Sequence, residues 1–326
     1  MKSFVRGVCQ LMKAVSFLTV AGASLAGASS QASTLVSAPP AVPFDARVSS
    51  DTSLFRKTKP EEGDAVPFPA WHVLTVFKIE PERTWQGETA PMVAVHRHAQ
   101  STNYTLLSRL QPLAPGEVLS DEQAGVLLFQ KVPEAHRSWC QRFTERVLLP
   151  GAAEAGKADM LIYSGSSDDA CAGYMMLVSG TGKAAKTRAL PRRGVIESIS
   201  VHALPSGPPL LDLLEAVRGP DHSGSRRTLL SVERSSLREV LAVDAELHQQ
   251  GKDDRHSVVH AVALNPSGDG LDIEVRRTET RVALATDTER EHSESVKRYH
   301  YARGKLKALP DTATPGESIA PALPKH

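Results

Sequence analysis

Apolar residues recur at every second position through the C-terminal half of the chain, a spacing that builds half-buried strands and is incompatible with amphipathic helices there. In LDIEVR, Leu271, Ile273 and Val275 share one side while Asp272, Glu274 and Arg276 share the other. ESISVHA repeats the design, with Ile199, Val201 and Ala203 opposite Ser198, Ser200 and His202. In REVLAVDAEL the inward set is Leu241, Val243, Ala245 and Leu247. Two runs are apolar on both sides, VLTVFKI from Val73 and LLDLLEAV from Leu210, and read as interior strands covered twice. Turn-rich links, PSGPP, GPDHSGS and NPSGDG, separate the strands as antiparallel meanders require. The expected class is therefore mainly β, in antiparallel meander sheets arranged propeller-like or as a sandwich.

A weak repeat sharpens that choice without settling it. VHALPSG then LLDLLEAVR from Val201 is echoed about sixty residues later by HAVALNPSG then LDIEVR from His260, each followed by two more strand-like stretches. Four-strand units at that spacing suit propeller blades, and a sandwich of hairpins yields the same alternation.

One region breaks the period of two. Ser120 and Gln123 form a capping box ahead of Ala124, Leu127 and Leu128. Beyond Pro133, which suits a first helical turn, His136, Trp139, Cys140, Phe143 and Val147 recur at three or four residues. These spacings predict a helical pair near 120–148.

The N-terminus reads as an export signal. Lys2, Arg6 and Lys13 precede the short apolar run AVSFLTV, which passes into small residues with cleavage patterns that leave Ser29 or Ser33 first. A bilayer needs ~20 consecutive apolar residues, and Gly22, Ser24, Gly27 and Ser29 interrupt too early. Cleavage removes Lys2, Arg6 and Lys13, so 38 basic against 37 acidic residues becomes 35 against 37, net −2. That balance argues against nucleic acid as a partner, and no second run approaches membrane-spanning length. Only Cys140 and Cys171 remain in an oxidising compartment, where a disulfide is expected. Such a bond closes some thirty residues and stabilises by ~3 kcal/mol in the chain-entropy account. The expected division is a signal peptide at 1–32, a proline-rich leader at 33–70, a β region with helical insertion at 71–190, a β-meander region at 191–309 and a disordered tail at 310–326.

Chemistry is faint in the linear sequence. The loop Asn265 to Gly270 resembles the calcium-binding DxNxDG pattern, which implies oxygen ligands from Asn265, Ser267 and Asp269. Asn265 replaces the first carboxylate, Arg276 stands at the twelfth position, and a plain hairpin turn explains the glycines. His96 with His98, and His256 with His260, share strand faces, but zinc wants three or four ligands. Ser164, Ser166 and Ser167 lack the GxSxG elbow, and adjacent Asp168 and Asp169 read as a turn cap. SGTGK around Lys183 departs from a phosphate loop at Leu177 and Ala184. The charged stretch from Arg276 to Arg303 intersperses its signs, as a solvated face or long exposed hairpin does. No cofactor is expected. The expectation is an exported β-rich protein, periplasmic or secreted, binding an envelope protein or a glycan without turnover. The alternatives are a secreted hydrolase with a site assembled from distant loops, and a structural subunit of an envelope assembly.

Overall fold

The computed structural model describes residues 40–310 apart from 60, 99–100, 151–158, 181–184, 191, 193, 219–221, 234–235, 252 and 287. The signal peptide and most of the tail expected at the two ends lie outside the described residues. Strands make up 62% of the structure and the described residues hold two α-helices, so the class is mainly β, in antiparallel sheets of which none is closed among the described residues. Among the described residues no helix is long and apolar enough to cross a membrane.

The first sheet has the order β6-β5-β4-β1-β7, formed by β1 (Phe44–Val48), β4 (Val73–Trp85), β5 (Glu88–His96), β6 (Thr102–Leu106) and β7 (Leu110–Pro112). A separate two-stranded ribbon joins β2 (Thr52–Leu54) to β3 (Val66–Phe68). This corrects the expectation of a leader up to residue 70. Strand β1 lies inside the sheet between β4 and β7, and Ala46, Val48, Leu54 and Phe68 are core residues with Leu74, Val76, Val93 and Val95. The prolines fall between these short strands or on the ribbon, where a missing amide costs little.

Two helices follow, α1 (Asp121–Leu128) and α2 (Glu134–Gln141). Both halves of the Ser120–Gln123 capping box are present, and Pro133 sits at the N-cap of α2. The helical pair is shorter than expected, because Thr144–Leu148 is a strand, β8. Val147 is buried on its far side, away from the helices, so the helical spacing ends at Phe143. Strand β8 joins β9 (Asp159–Ser164), β10 (Met175–Ser179) and β11 (Lys186–Ala189) in the order β11-β10-β9-β8.

This second sheet is the middle layer. Met160, Ile162, Met176 and Val178 meet Ala124, Leu128 and Phe129 from α1 and its exit. Leu161, Tyr163, Met175 and Leu177 meet Ile199, Leu211, Leu213 and Leu230 of the third sheet. Burial on both sides explains why β8 and β9 are buried at every position. Cys140 and Cys171 have their sulphurs 2.13 Å apart, a disulfide distance that ties α2 to the turn before β10.

The third sheet is an eight-stranded meander in sequence order: β12 (Val195–His202), β13 (Leu210–Arg218), β14 (His222–Glu233), β15 (Ser236–Gln250), β16 (Asp254–Ser267), β17 (Gly270–Ala283), β18 (Thr288–Ala302) and β19 (Lys305–Ala308). The two halves of the weak repeat thus join in one continuous open sheet. Strand β13 is covered twice as expected, by Leu211 and Leu213 in one apolar cluster and Leu210 in another. Pairing between β15 and β16 is confined to Glu246–Gln250 with Arg255–Val259, so their other ends part and the sheet coils. Leu229 and Leu210 then meet Leu271, Ile273, Val275 and Tyr301 across a shared apolar layer. Gly207, at φ 93°, brings the β12–β13 loop so close to Arg303 that a Cβ there would lie 3.1 Å from its Cα.

Candidate functional site

Strand β8 carries adjacent opposite charges, Glu145 and Arg146, and alternation sends them to opposite faces. Both are almost fully buried, which is tolerated for ions only when they are paired. Toward the third sheet, Arg97 Nε donates to Glu145 Oε1 at 2.6 Å and the Phe68 ring lies 5.2 Å from the Arg97 guanidinium. The same pocket of charge holds Tyr163, whose hydroxyl is 3.3 Å from His72 Nε2. Burial raises Glu145 to about 7 against the opposing pull of Arg97. Burial also lowers His72 to about 4 and pushes the Tyr163 hydroxyl well above its ordinary range. Toward the helices, Arg146 donates to the Leu119 carbonyl at 2.7 Å and Thr75 Oγ1 at 2.9 Å, and pairs with Asp121 at 2.7 Å and Asp45 at 3.1 Å. The Glu145–Arg146 pair therefore clamps the first sheet, α1 and the second sheet together.

Beside this clamp, where α2 runs into β8, an aromatic and cationic rim reaches the surface. Trp139 is 43% exposed although its neighbour Cys140 is wholly buried. Its ring stands edge-on to Phe143 at 5.1 Å, and the Arg142 guanidinium lies 6.0 Å from its centroid. His98 also packs against Phe143, at 5.3 Å, and burial lowers it to about 4, so it is neutral at physiological pH. Among the described residues, His98 Nδ1, Ser101 Oγ and Thr144 Oγ1 are buried without a hydrogen-bond partner. Such atoms ordinarily find one, in protein, water or ligand.

The structure places the residues singled out from sequence as follows. His96 stacks on Phe77 at 4.1 Å, apart from the Phe143 contact of His98. His256 Nε2 is 2.6 Å from Glu279 Oε1, and His260 Nδ1 donates to the Asp244 carbonyl at 2.6 Å. Among the described residues no group of three or more histidine, cysteine or acidic side chains is placed to hold a metal. Asn265, Ser267 and Asp269 fall in the tight β16–β17 hairpin, where Ser267 pairs with Gly270 and Gly268 has φ 56°. Asp269 there faces the Arg303 guanidinium at 3.1 Å and the His300 imidazole at 3.8 Å. Ser164 ends β9, Ser166 and Ser167 follow it, and Asp168 accepts from the Ala170 amide as a turn cap beside Asp169. Lys183 lies outside the described residues.

Two features escaped sequence reasoning. Glu145 and Arg146 sit in FTERVLL, where two charges inside an otherwise apolar run were the available signal. Trp139 fits the helical apolar stripe, and nothing linear shows that it leaves the core while Cys140 enters it.

The third sheet offers a second polar surface. Beyond the shared apolar layer the strands run on, and among the described residues of 222–226, 244–250, 254–260, 276–283 and 288–296 only Val258 and Ala283 are buried. A shallow hollow of about 180 Å³ there is lined by Val217, Gly224, Asp244, Glu246 and Leu247. Ser257 Oγ lies 3.1 Å from His248 Nδ1, and His248 Nε2 lies 3.8 Å from Glu246. No family model, curated protein or solved structure matches this chain.

Proposed function

We propose that this is a periplasmic or secreted binding protein that holds a glycan or another macromolecule through the rim centred on Trp139, without turning it over. The observation that carries the reading is the exposure of Trp139 on a fixed base. Its ring is braced by Phe143, and the next residue, Cys140, lies at disulfide distance from Cys171. Tryptophan and arginine are both enriched at strong binding contacts, the indole for its large rigid area and the guanidinium for its planar fork of donors. The compartment is supported by the cysteine pair and by the basic, apolar and small-residue order of the first 32 residues. The test is retention of glycans on an array and of proteins from an envelope extract. Trp139→Ala is expected to lower retention at least about tenfold with the circular dichroism spectrum unchanged. Equal retention by the variant overturns the reading.

The hydrolase alternative rests on Ser257 Oγ 3.1 Å from His248 Nδ1, with the Glu246 carboxylate 3.8 Å from the other ring nitrogen, since a serine beside a histidine is the start of an activated-nucleophile arrangement. It lies on an open sheet face, with His248 and Glu246 nearly half exposed. Turnover of an ester, peptide or glycoside that is lost in Ser257→Ala and kept in Trp139→Ala decides for it.

A further inference from the structure

The same rim specifies its ligand more narrowly, an inference that rests on the binding reading above. Arg142 caps the C-terminal end of α2, and its amide bonds to the Trp139 carbonyl at 3.1 Å, so both side chains leave one helical turn. Several arginines among the described residues have carboxylate partners: Arg97 with Glu145, Arg146 with Asp45 and Asp121, Arg227 with Asp212, Arg298 with Glu274. Arg142 has none among the described residues, and its one ring contact is Trp139. An exposed guanidinium without a carboxylate beside a 43% exposed indole leaves a forked donor and part of a flat apolar platform open to a ligand.

A pyranose bearing a carboxylate matches that pair of surfaces. Its face of C–H bonds covers an indole, and its carboxylate accepts the two parallel N–H bonds that guanidinium gives best. We propose that Trp139 and Arg142 form a subsite for a uronic-acid residue of an acidic glycan.

Oligogalacturonate and its fully methyl-esterified form separate the carboxylate from the ring. Binding is read by calorimetry and by the Trp139 indole resonance, with Trp139→Phe as the folded reference for a ring that keeps its contact with Phe143. The acid is expected to bind at least about tenfold more tightly than the ester. Arg142→Gln is expected to erase that difference, Arg142→Lys to restore part of it, and Trp139→Ala to lose both ligands. Equal binding of acid and ester by the unaltered protein overturns the uronic-acid assignment while leaving the binding reading intact. Polyglutamate binding as tightly as oligogalacturonate, with the same Arg142 dependence, also overturns it. If Trp139→Ala changes neither these ligands nor anything retained from the array, both readings fail.

Discussion

Glu145 shows what a single residue's surroundings do to its chemistry. An exposed glutamate loses its proton near 4.5, and burial moves this one to about 7, with Arg97 only partly offsetting the lost hydration. Its folded-state value is raised, so the protonated form stabilises the fold fully below pH ~4.5, and that contribution is lost as pH rises through about 7. His72 has the opposite sign. Its folded value is lowered to about 4, so its contribution grows as pH rises from there to 6.5. Replacing Glu145 by Gln removes only the first dependence. Relative to the unaltered protein, Glu145→Gln is expected to gain on the order of 3 kcal/mol between pH 5 and pH 8, a shift of about 2.5 pKa units at 1.36 kcal/mol each. Urea unfolding at the two pH values measures it, and a constant offset between the proteins refutes the assignment. Arg97, Tyr163 and His72 on one side, with Asp121 and Arg146 beyond, are the charged and titratable groups bearing on Glu145.

Among the elements, β15 departs most from its sequence pattern. Its alternation was legible, and Leu241 and Val243 do pack into the apolar layer. The register against β14 slips twice, leaving Val240 and Ala245 as extra residues, so the alternation from Leu241 to Leu247 is interrupted. Leu247 pairs with Gly224 and lines the shallow hollow, away from the set to which its spacing assigned it. Strict period-two reading carries no information about such insertions, because a bulge depends on the partner strand. Gly224 answers to the same geometry. A Cβ there would stand 1.9 Å from the Glu246 carbonyl oxygen, so the backbone of one strand must move. Gly224→Ala is expected to lower stability by roughly 1–3 kcal/mol, as overpacking does. An unchanged urea midpoint contradicts the close approach. The helical pair teaches the converse. Its start was local chemistry, the capping box, whereas its end at Gln141 was decided by the strand pairing of β8 with β9.

For the molecule as a whole, the informative contact joins strands that are not neighbours. Tyr301 on β18 donates to Ser231 Oγ on β14 at 2.7 Å, although three strands lie between them in the sheet order. Spaced at ~4.8 Å per strand, a flat sheet would hold them roughly 19 Å apart, so coiling is what lets the two halves share one apolar layer. Both residues are fully buried. Tyr301→Phe leaves the serine hydroxyl without its partner and is expected to cost about 1–2 kcal/mol, read from thermal or urea unfolding. No loss at all would mean that this contact does not hold the halves together.

The alternation of apolar and polar residues settled the class, the antiparallel strands and the double cover of β13, because period and turn chemistry are local properties carried by neighbours in the chain. The same local signals placed both helix starts. The middle layer, the bulges in β15 and the coil of the third sheet belong to the tertiary structure, as do the buried Glu145–Arg146 clamp and the bare face of Trp139. Each depends on which surface covers which, and that is set by groups tens to hundreds of residues apart whose mutual burial no local pattern encodes.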